Sequence, residues 1–172
     1  MKETKRILFV STADTDTLSA VESLKTISDT IPKVEIINIH AGWESRDNQQ
    51  KLFDAVIASK VVILRLLGGK QAIPESFDHV VQICKEQDIP LITCPGHQEW
   101  DQDLINACTA SVSEVETVFG YLMHGGTNNL QNMFLFLSDV YFGSNIGHDA
   151  PMPMPWEGIY RPGLNYLPDI DT

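Results

Sequence analysis

The stretch that most constrains this chain is Val61–Leu67, an apolar run (VVILRLL) interrupted only by Arg65 and ended abruptly by Gly68-Gly69. Such a run reads as a strand. It lacks polar alternation, so it needs cover on both faces, which is the situation of a strand inside a parallel sheet. Arg6–Ser11, Lys33–Ile39 and Pro90–Cys94 have the same apolar or β-branched character and are the other predicted strands.

Helical patterns separate these runs. Asp14, Thr15, Asp16 and Thr17 are good helix starters, and Leu18, Val21, Leu24 and Ile27 recur at helical spacing until Ile31-Pro32. Leu52, Phe53, Val56 and Ile57 give a second inward stripe. Pro74 opens a third helix, with Phe77, Val80, Val81 and Cys84 facing in. Strand–helix alternation demands crossover connections. The expected class is therefore α/β: a Rossmann-like or flavodoxin-like open, mostly parallel four-stranded sheet flanked by helices.

Beyond Gly96 the pattern changes. Ser113-Glu-Val-Glu116 predicts a capping box for a helix with Val115, Val118, Phe119 and Leu122 inward. His124-Gly125-Gly126 stops that helix, and His124 suits its C-terminal dipole. Thr127 or Asn128 is expected to cap a second helix carrying Leu130, Met133, Phe134, Leu137 and Tyr141. Residues 1–143 are read as one α/β domain including this terminal helix pair. Residues 144–172, with prolines at 151, 153, 155 and 162 among Met152, Met154 and Trp156, are read as a Pro-rich connector to a larger body. An apolar docking surface is the alternative for the Met-Pro-Met-Pro-Trp run.

Composition removes some functions. Twelve Lys and Arg against 23 Asp and Glu give a net charge of −11, which repels phosphate backbones and argues against nucleic acid as a partner. No apolar run has the length of a membrane span, and the start lacks a signal-peptide core, so a cytoplasmic location is expected. Cys84, Cys94 and Cys108 are odd in number and widely spaced, which suits reduced thiols.

Open parallel sheets bind ligands beyond the carboxyl ends of their strands. Four loops fall there: Ser11–Asp16, His40–Trp43, Leu67–Lys70 and Cys94–His97. Their candidate ligand-binding residues are Thr12, Asp14, His40, Gly68, Gly69, Gly96 and His97. The first loop resembles the hydroxyl-rich phosphate loop of flavodoxins. Asp14 and Asp16 would repel a phosphate there, so capping and dipole roles are favoured for them. Cys94 and His97 are weak metal candidates that Glu99, Asp101 or Asp103 would have to complete. No second Cys/His pair has supporting spacing. Gly68-Gly69-Lys70 lacks the upstream glycine and trailing Ser/Thr of a P-loop, and neither G-x-G-x-x-G after the first strand nor G-x-S-x-G occurs. Leu66-Leu67-Gly68 stands where a receiver domain needs an acidic phosphoacceptor. No catalytic residue is assigned.

Several ordered blocks carry a family resemblance: Ser11-Thr-Ala-Asp-Thr-Asp16, Val61–Gly69, Pro90–Gly96, Asp101-Gln-Asp-Leu104, His124-Gly-Gly with Asn128-Asn-Leu-Gln-Asn-Met133, and Glu157-Gly-Ile-Tyr-Arg-Pro162. In this order they resemble the amino-terminal part of the CobN and magnesium chelatase large-subunit family, with wording closer to the cobaltochelatase branch. The resemblance implies part of a tetrapyrrole-binding subunit in an ATP-dependent, multi-subunit ligase. That enzyme inserts Co²⁺ into hydrogenobyrinic acid a,c-diamide for cobalamin biosynthesis; the magnesium branch acts on protoporphyrin IX. It further implies ATP, Mg²⁺ and Co²⁺ for the complex, no cofactor held by this segment, and AAA+ subunits and the remainder of the large subunit as partners. A stand-alone flavodoxin-like binding module or a non-catalytic interaction domain is the alternative from another class.

Overall fold

A computed structural model describes residues 5–40, 43, 45–97, 99 and 101–153. Four strands form one sheet: β1 (Arg6–Ser11), β2 (Val34–Asn38), β3 (Ser59–Leu66) and β4 (Leu91–Pro95). Their order is β2-β1-β3-β4 and every pairing is parallel. The helices are α1 (Asp14–Leu24), α2 (Arg46–Ile57), α3 (Pro74–Glu86), α4 (Gln102–Ala107), α5 (Val112–His124) and α6 (Gly126–Phe142), with a 3₁₀ turn at Gly69–Ala72. The expected α/β layer structure is what the chain adopts.

The apolar runs explain the layers. Along β1 and β3 every alternate residue serves a different core. Ile7, Phe9, Val61 and Ile63 pack with α1, α5 and α6, including Val118, Met133 and Phe134. Leu8, Val10, Val62 and Leu64 pack on the opposite face with Leu52, Val56, Phe77 and Val80 of α2 and α3. Both central strands are thus buried on both sides, as the lack of alternation requires. The outer edge of β4 is covered by the α4–α5 connection: Leu91 N–H donates to Thr109 Oγ1 at 2.8 Å and Thr93 N–H to Cys108 Sγ at 3.2 Å. The short helix α4, which periodicity did not predict, is capped by Asp101, whose carboxylate accepts from the backbone N–H of Asp103 and Leu104.

Several expected details move. Helix α1 buries Thr17, Ala20 and Ser23, while Leu18 is 69% and Val21 51% exposed. The buried face is made of small residues because α6 packs directly against α1, and a small-residue stripe lets two helices approach closely. The helix also stops at Leu24. Beyond it the chain tightens into i→i−3 turns, Ile27 N–H to Leu24 O and Thr30 N–H to Ile27 O, and Thr30 Oγ1 also donates to Ile27 O. Ala13 is the N-cap and no side chain caps α1, so the aspartates stand in the first turn without capping it.

The capping box lies two residues earlier than expected, with Ser111 and Glu114 exchanging bonds. Two overlapping S-x-x-E patterns exist there, and the observed register still places Val115, Val118, Phe119 and Leu122 inward. Helix α6 is capped by neither Thr127 nor Asn128. Gly125, at φ +64°, ends α5 and begins α6 directly.

The chain after α6 lies back across α5 and α6. Asp149 N–H donates to Asn132 Oδ1 at 2.8 Å, and Met152 exchanges two 2.9 Å bonds with the Asn129 side chain. Tyr121 O–H donates to Asp149 O. A Cβ on Gly120 would lie 3.1 Å from Pro151, a tight contact that the missing side chain avoids. Asp139 collects the Ile146 and Gly147 amides and the His148 ring. The Met154, Trp156 and Glu157–Pro162 readings lie outside the described residues.

Candidate functional site

At the carboxyl ends of β1 and β2, where α2 and α3 begin, there is a cleft of about 280 Å³. In the order β2-β1-β3-β4 the topological switch, where ligands of such folds bind, lies between β1 and β3, and Thr12 after β1 with Ile73 and Ser76 after β3 bring the cleft to it. Ile39, Trp43 and Ile73 give it apolar walls. Thr12 reaches it from the end of β1. Ser76 reaches it from the first turn of α3 and is only 3% exposed. Gln49 and Glu75 stand at its mouth, where Gln49 Nε2 donates to Glu75 Oε2 at 3.1 Å. His40, exposed beside the Trp43 ring at a centroid distance of 6.4 Å, completes the described rim.

Two of the residues picked from sequence, Thr12 and His40, meet in this cleft. Thr12 Oγ1 accepts the Leu67 N–H at 2.7 Å, which leaves its own O–H to donate. The other candidates serve the scaffold around it. Asp14 Oδ1 accepts from Asn38 Nδ2 at 2.5 Å, tying α1 to the end of β2. Gly68 and Gly69, at φ +91° and +66°, form the turn after β3. A Cβ on Gly69 would lie 2.7 Å from Asp101 Oδ2. A Cβ on Gly96 would collide with Leu67, 2.9 Å from its Cα, so this glycine lets the ends of β3 and β4 close together.

The phosphate-loop reading of Ser11–Asp16 fails on the same geometry. Ser11 Oγ donates to Asp16 Oδ2 at 2.9 Å and receives the Ala13 N–H at 3.1 Å. Asp16 also lies 2.9 Å from Arg65 Nε, an ion-pair contact without hydrogen-bond alignment. Arg65 Nη1 donates to Leu122 O at the end of α5. Ser11, Asp16 and Arg65 are thus spent on joining β1, α1, β3 and α5, and the negative charge of Asp14 and Asp16 opposes an anion at this loop.

Cys94 and His97 part company. Cys94 is wholly buried in the α1/α5/α6 core, where burial pushes its thiol far up, while His97 is exposed beyond the strand. Glu99 is exposed and Asp101 is committed to capping α4. Among the described residues no group of three or more His, Cys, Asp or Glu is placed to hold a metal ion. The three cysteines carry free thiols, and no described helix is long and apolar enough to cross a membrane.

Ser76, Gln49 and Glu75 were missed from sequence. The strand-end rule pointed only to loops, yet Glu75 and Ser76 follow Pro74 in the first turn of the next helix, which faces the same way.

The fold and cleft define a doubly wound α/β domain with a small site at its switch point. No family model matches the chain. An uncharacterised protein of Methanocaldococcus jannaschii is 30% identical over 174 residues, covering 96% of this chain and 14% of that protein. The catalytic subunit of cobaltochelatase from Mycobacterium tuberculosis superposes with a TM-score of 0.69 at 26% identity, covering 92% of this chain and 12% of the subunit. The chain therefore spans a small fraction of the length of both proteins, and over 92% of it the fold is chelatase-like.

Proposed function

We propose that this chain acts as the amino-terminal domain of a cobaltochelatase large subunit, contributing to substrate enclosure or subunit docking during Co²⁺ insertion into hydrogenobyrinic acid a,c-diamide. The observation that carries the reading is the likeness to the mycobacterial catalytic subunit over 92% of the chain. The ordered blocks from Ser11–Asp16 to Asn128–Met133 support it. The physical task of such an enzyme is to strip pyrrole N–H protons, distort the macrocycle and exchange water on the metal for nitrogen.

In this reading the chain itself performs no chemistry. The cleft, at about 280 Å³, lies below the usual size of sites for drug-sized ligands. The macrocycle is then held by the rest of the large subunit, and AAA+ partners with ATP and Mg²⁺ drive insertion.

Reconstitution tests this. The remainder of a large subunit, the AAA+ subunits, ATP, Mg²⁺, Co²⁺ and the corrinoid substrate are assayed with and without this chain added in trans. Cobalt insertion that rises with added chain is expected; insertion indifferent to it sinks the reading. Substituting Mg²⁺ and protoporphyrin IX in the same assay separates the magnesium branch, and titration of the chain alone with the corrinoid separates enclosure from docking.

A further inference from the structure

We propose that the cleft between β1, β2 and the start of α3 is a binding site for a small neutral ligand that presents a carboxamide, with a flat apolar part laid against Trp43. The proposal stands on the cleft's own groups and does not require the chelatase reading.

The floor of the cleft carries an unused hydrogen-bonding group. Ser76 is 3% exposed, yet its hydroxyl bonds to no described residue. It is not among the wholly enclosed orphan atoms, so it meets the cleft's interior space. A ligand oxygen that accepts from this hydroxyl therefore adds a hydrogen bond that no described protein group makes. Thr12 supplies a second free O–H, because its oxygen is already an acceptor for Leu67 N–H. Two hydroxyl donors thus line the cleft, and they call for an acceptor oxygen on the ligand.

The mouth asks for the opposite. Glu75 brings a carboxylate, and only one of its oxygens is engaged, by Gln49. Its remaining acceptor capacity, and the Gln49 carbonyl oxygen, call for N–H donors. A carboxylate ligand would meet the Glu75 charge and a chain of net charge −11. An ammonium would suit Glu75 but leave the two hydroxyl protons without an acceptor. A primary carboxamide carries a carbonyl oxygen and two N–H donors side by side, and matches both ends without a charge to desolvate. The walls of Ile39, Ile73 and the Trp43 ring complete a site that is apolar with few convergent polar groups, the usual build of a small-molecule pocket.

Three probes of one shape test the class: benzamide, benzoate and benzylamine, each titrated into the ¹⁵N-labelled full chain and followed by amide and indole resonances. Benzamide is expected to shift the signals of Thr12, Trp43 and Ser76 saturably, with the two charged probes at least about fivefold weaker. Ser76→Ala removes one hydroxyl at constant shape and is expected to weaken benzamide about five- to tenfold. Glu75→Gln is expected to narrow the gap between benzamide and benzoate. Equal response to all three probes, or none at the cleft, overturns the proposal. A positive result here with no effect in the cobalt-insertion assay would leave the site standing and remove the chelatase reading.

Discussion

Gly96 illustrates how much depends on single atoms. A methyl group there would sit 2.1 Å from Leu67 Cδ1 and 2.9 Å from Leu67 Cα. The side chain can swing away, but the backbone carbon is pinned by the Leu67 amide's bond to Thr12. Gly96→Ala is therefore expected to cost about 1–3 kcal/mol, as overpacking does, seen as a fall in Tm of roughly 2–4 °C per kcal/mol. Gly68→Ala meets open space and pays only for its φ of +91°, so its loss should stay near about 1 kcal/mol. A Gly96→Ala protein no less stable than Gly68→Ala would show that the strand ends are not in close contact. The sequence marked both glycines alike; only the neighbours distinguish them.

At the scale of elements, α1 shows the limit of periodicity. Leu18 and Val21 recur at helical spacing but point outward, while Thr17, Ala20 and Ser23 take the buried face against α6. The double variant Leu18→Lys, Val21→Lys should leave stability within about 0.5 kcal/mol of the parent, whereas Ala20→Leu should destabilise by about 1–3 kcal/mol through overpacking. Chemical denaturation of the two proteins decides it, and a large loss in the lysine variant would return the core face to Leu18 and Val21.

The segment after α6 makes a second element-scale prediction. Burial opposes the charge on Asp139, but the Ile146 amide, the His148 ring and the Gly147 amide outweigh it and hold the carboxyl below its ordinary value of 3.8. A folded-state value below the unfolded one stabilises the fold at pH above the ordinary value, and that contribution is lost as pH falls through the depressed one. Hydrogen-exchange protection of the Ile146 and Gly147 amides should therefore fall in acid below about pH 3.8, earlier than that of the β1 and β3 amides. Protection that stays level with the core throughout an acid titration would refute this.

For the molecule as a whole, the two cores on opposite faces of the sheet are the main source of stability, and each encloses a cysteine. Burial pushes the Cys84 thiol up to about 12 and the Cys94 thiol further. Because the thiolate is the reactive form, neither should react with iodoacetamide at neutral pH while the chain is folded, and both should react in denaturant. Mass spectrometry of native and unfolded samples checks this; rapid native labelling at Cys84 would mean that the α2/α3 core opens readily.

The alternation of apolar runs and amphipathic stretches was enough to read four strands, their parallel pairing and the helices between them, because burial on both faces leaves a continuous signature in β1 and β3. The capping box, the α1 face and the start of α6 were misread. In each, two registers or caps were locally acceptable and only packing against another element chose between them. Of the candidate site, Thr12 and His40 were legible as strand-end residues. Ser76 was not, since a serine in a helical first turn looks like any other until the cleft beside it exists.

By itself, then, the sequence determined the class of fold and the end of the sheet at which the cleft opens, since strand order along the chain and the burial of each run are local properties. The tertiary structure alone decided which polar groups are spent and which are free. Asp14, Asp16 and Arg65 are consumed in locking the layers, Asn129 and Asn132 in holding the segment after α6, and Ser76 and Thr12 are left with hydroxyl protons facing a cleft. Hydrogen-bond satisfaction depends on residues distant in the chain, and no pattern of neighbours along it can record that.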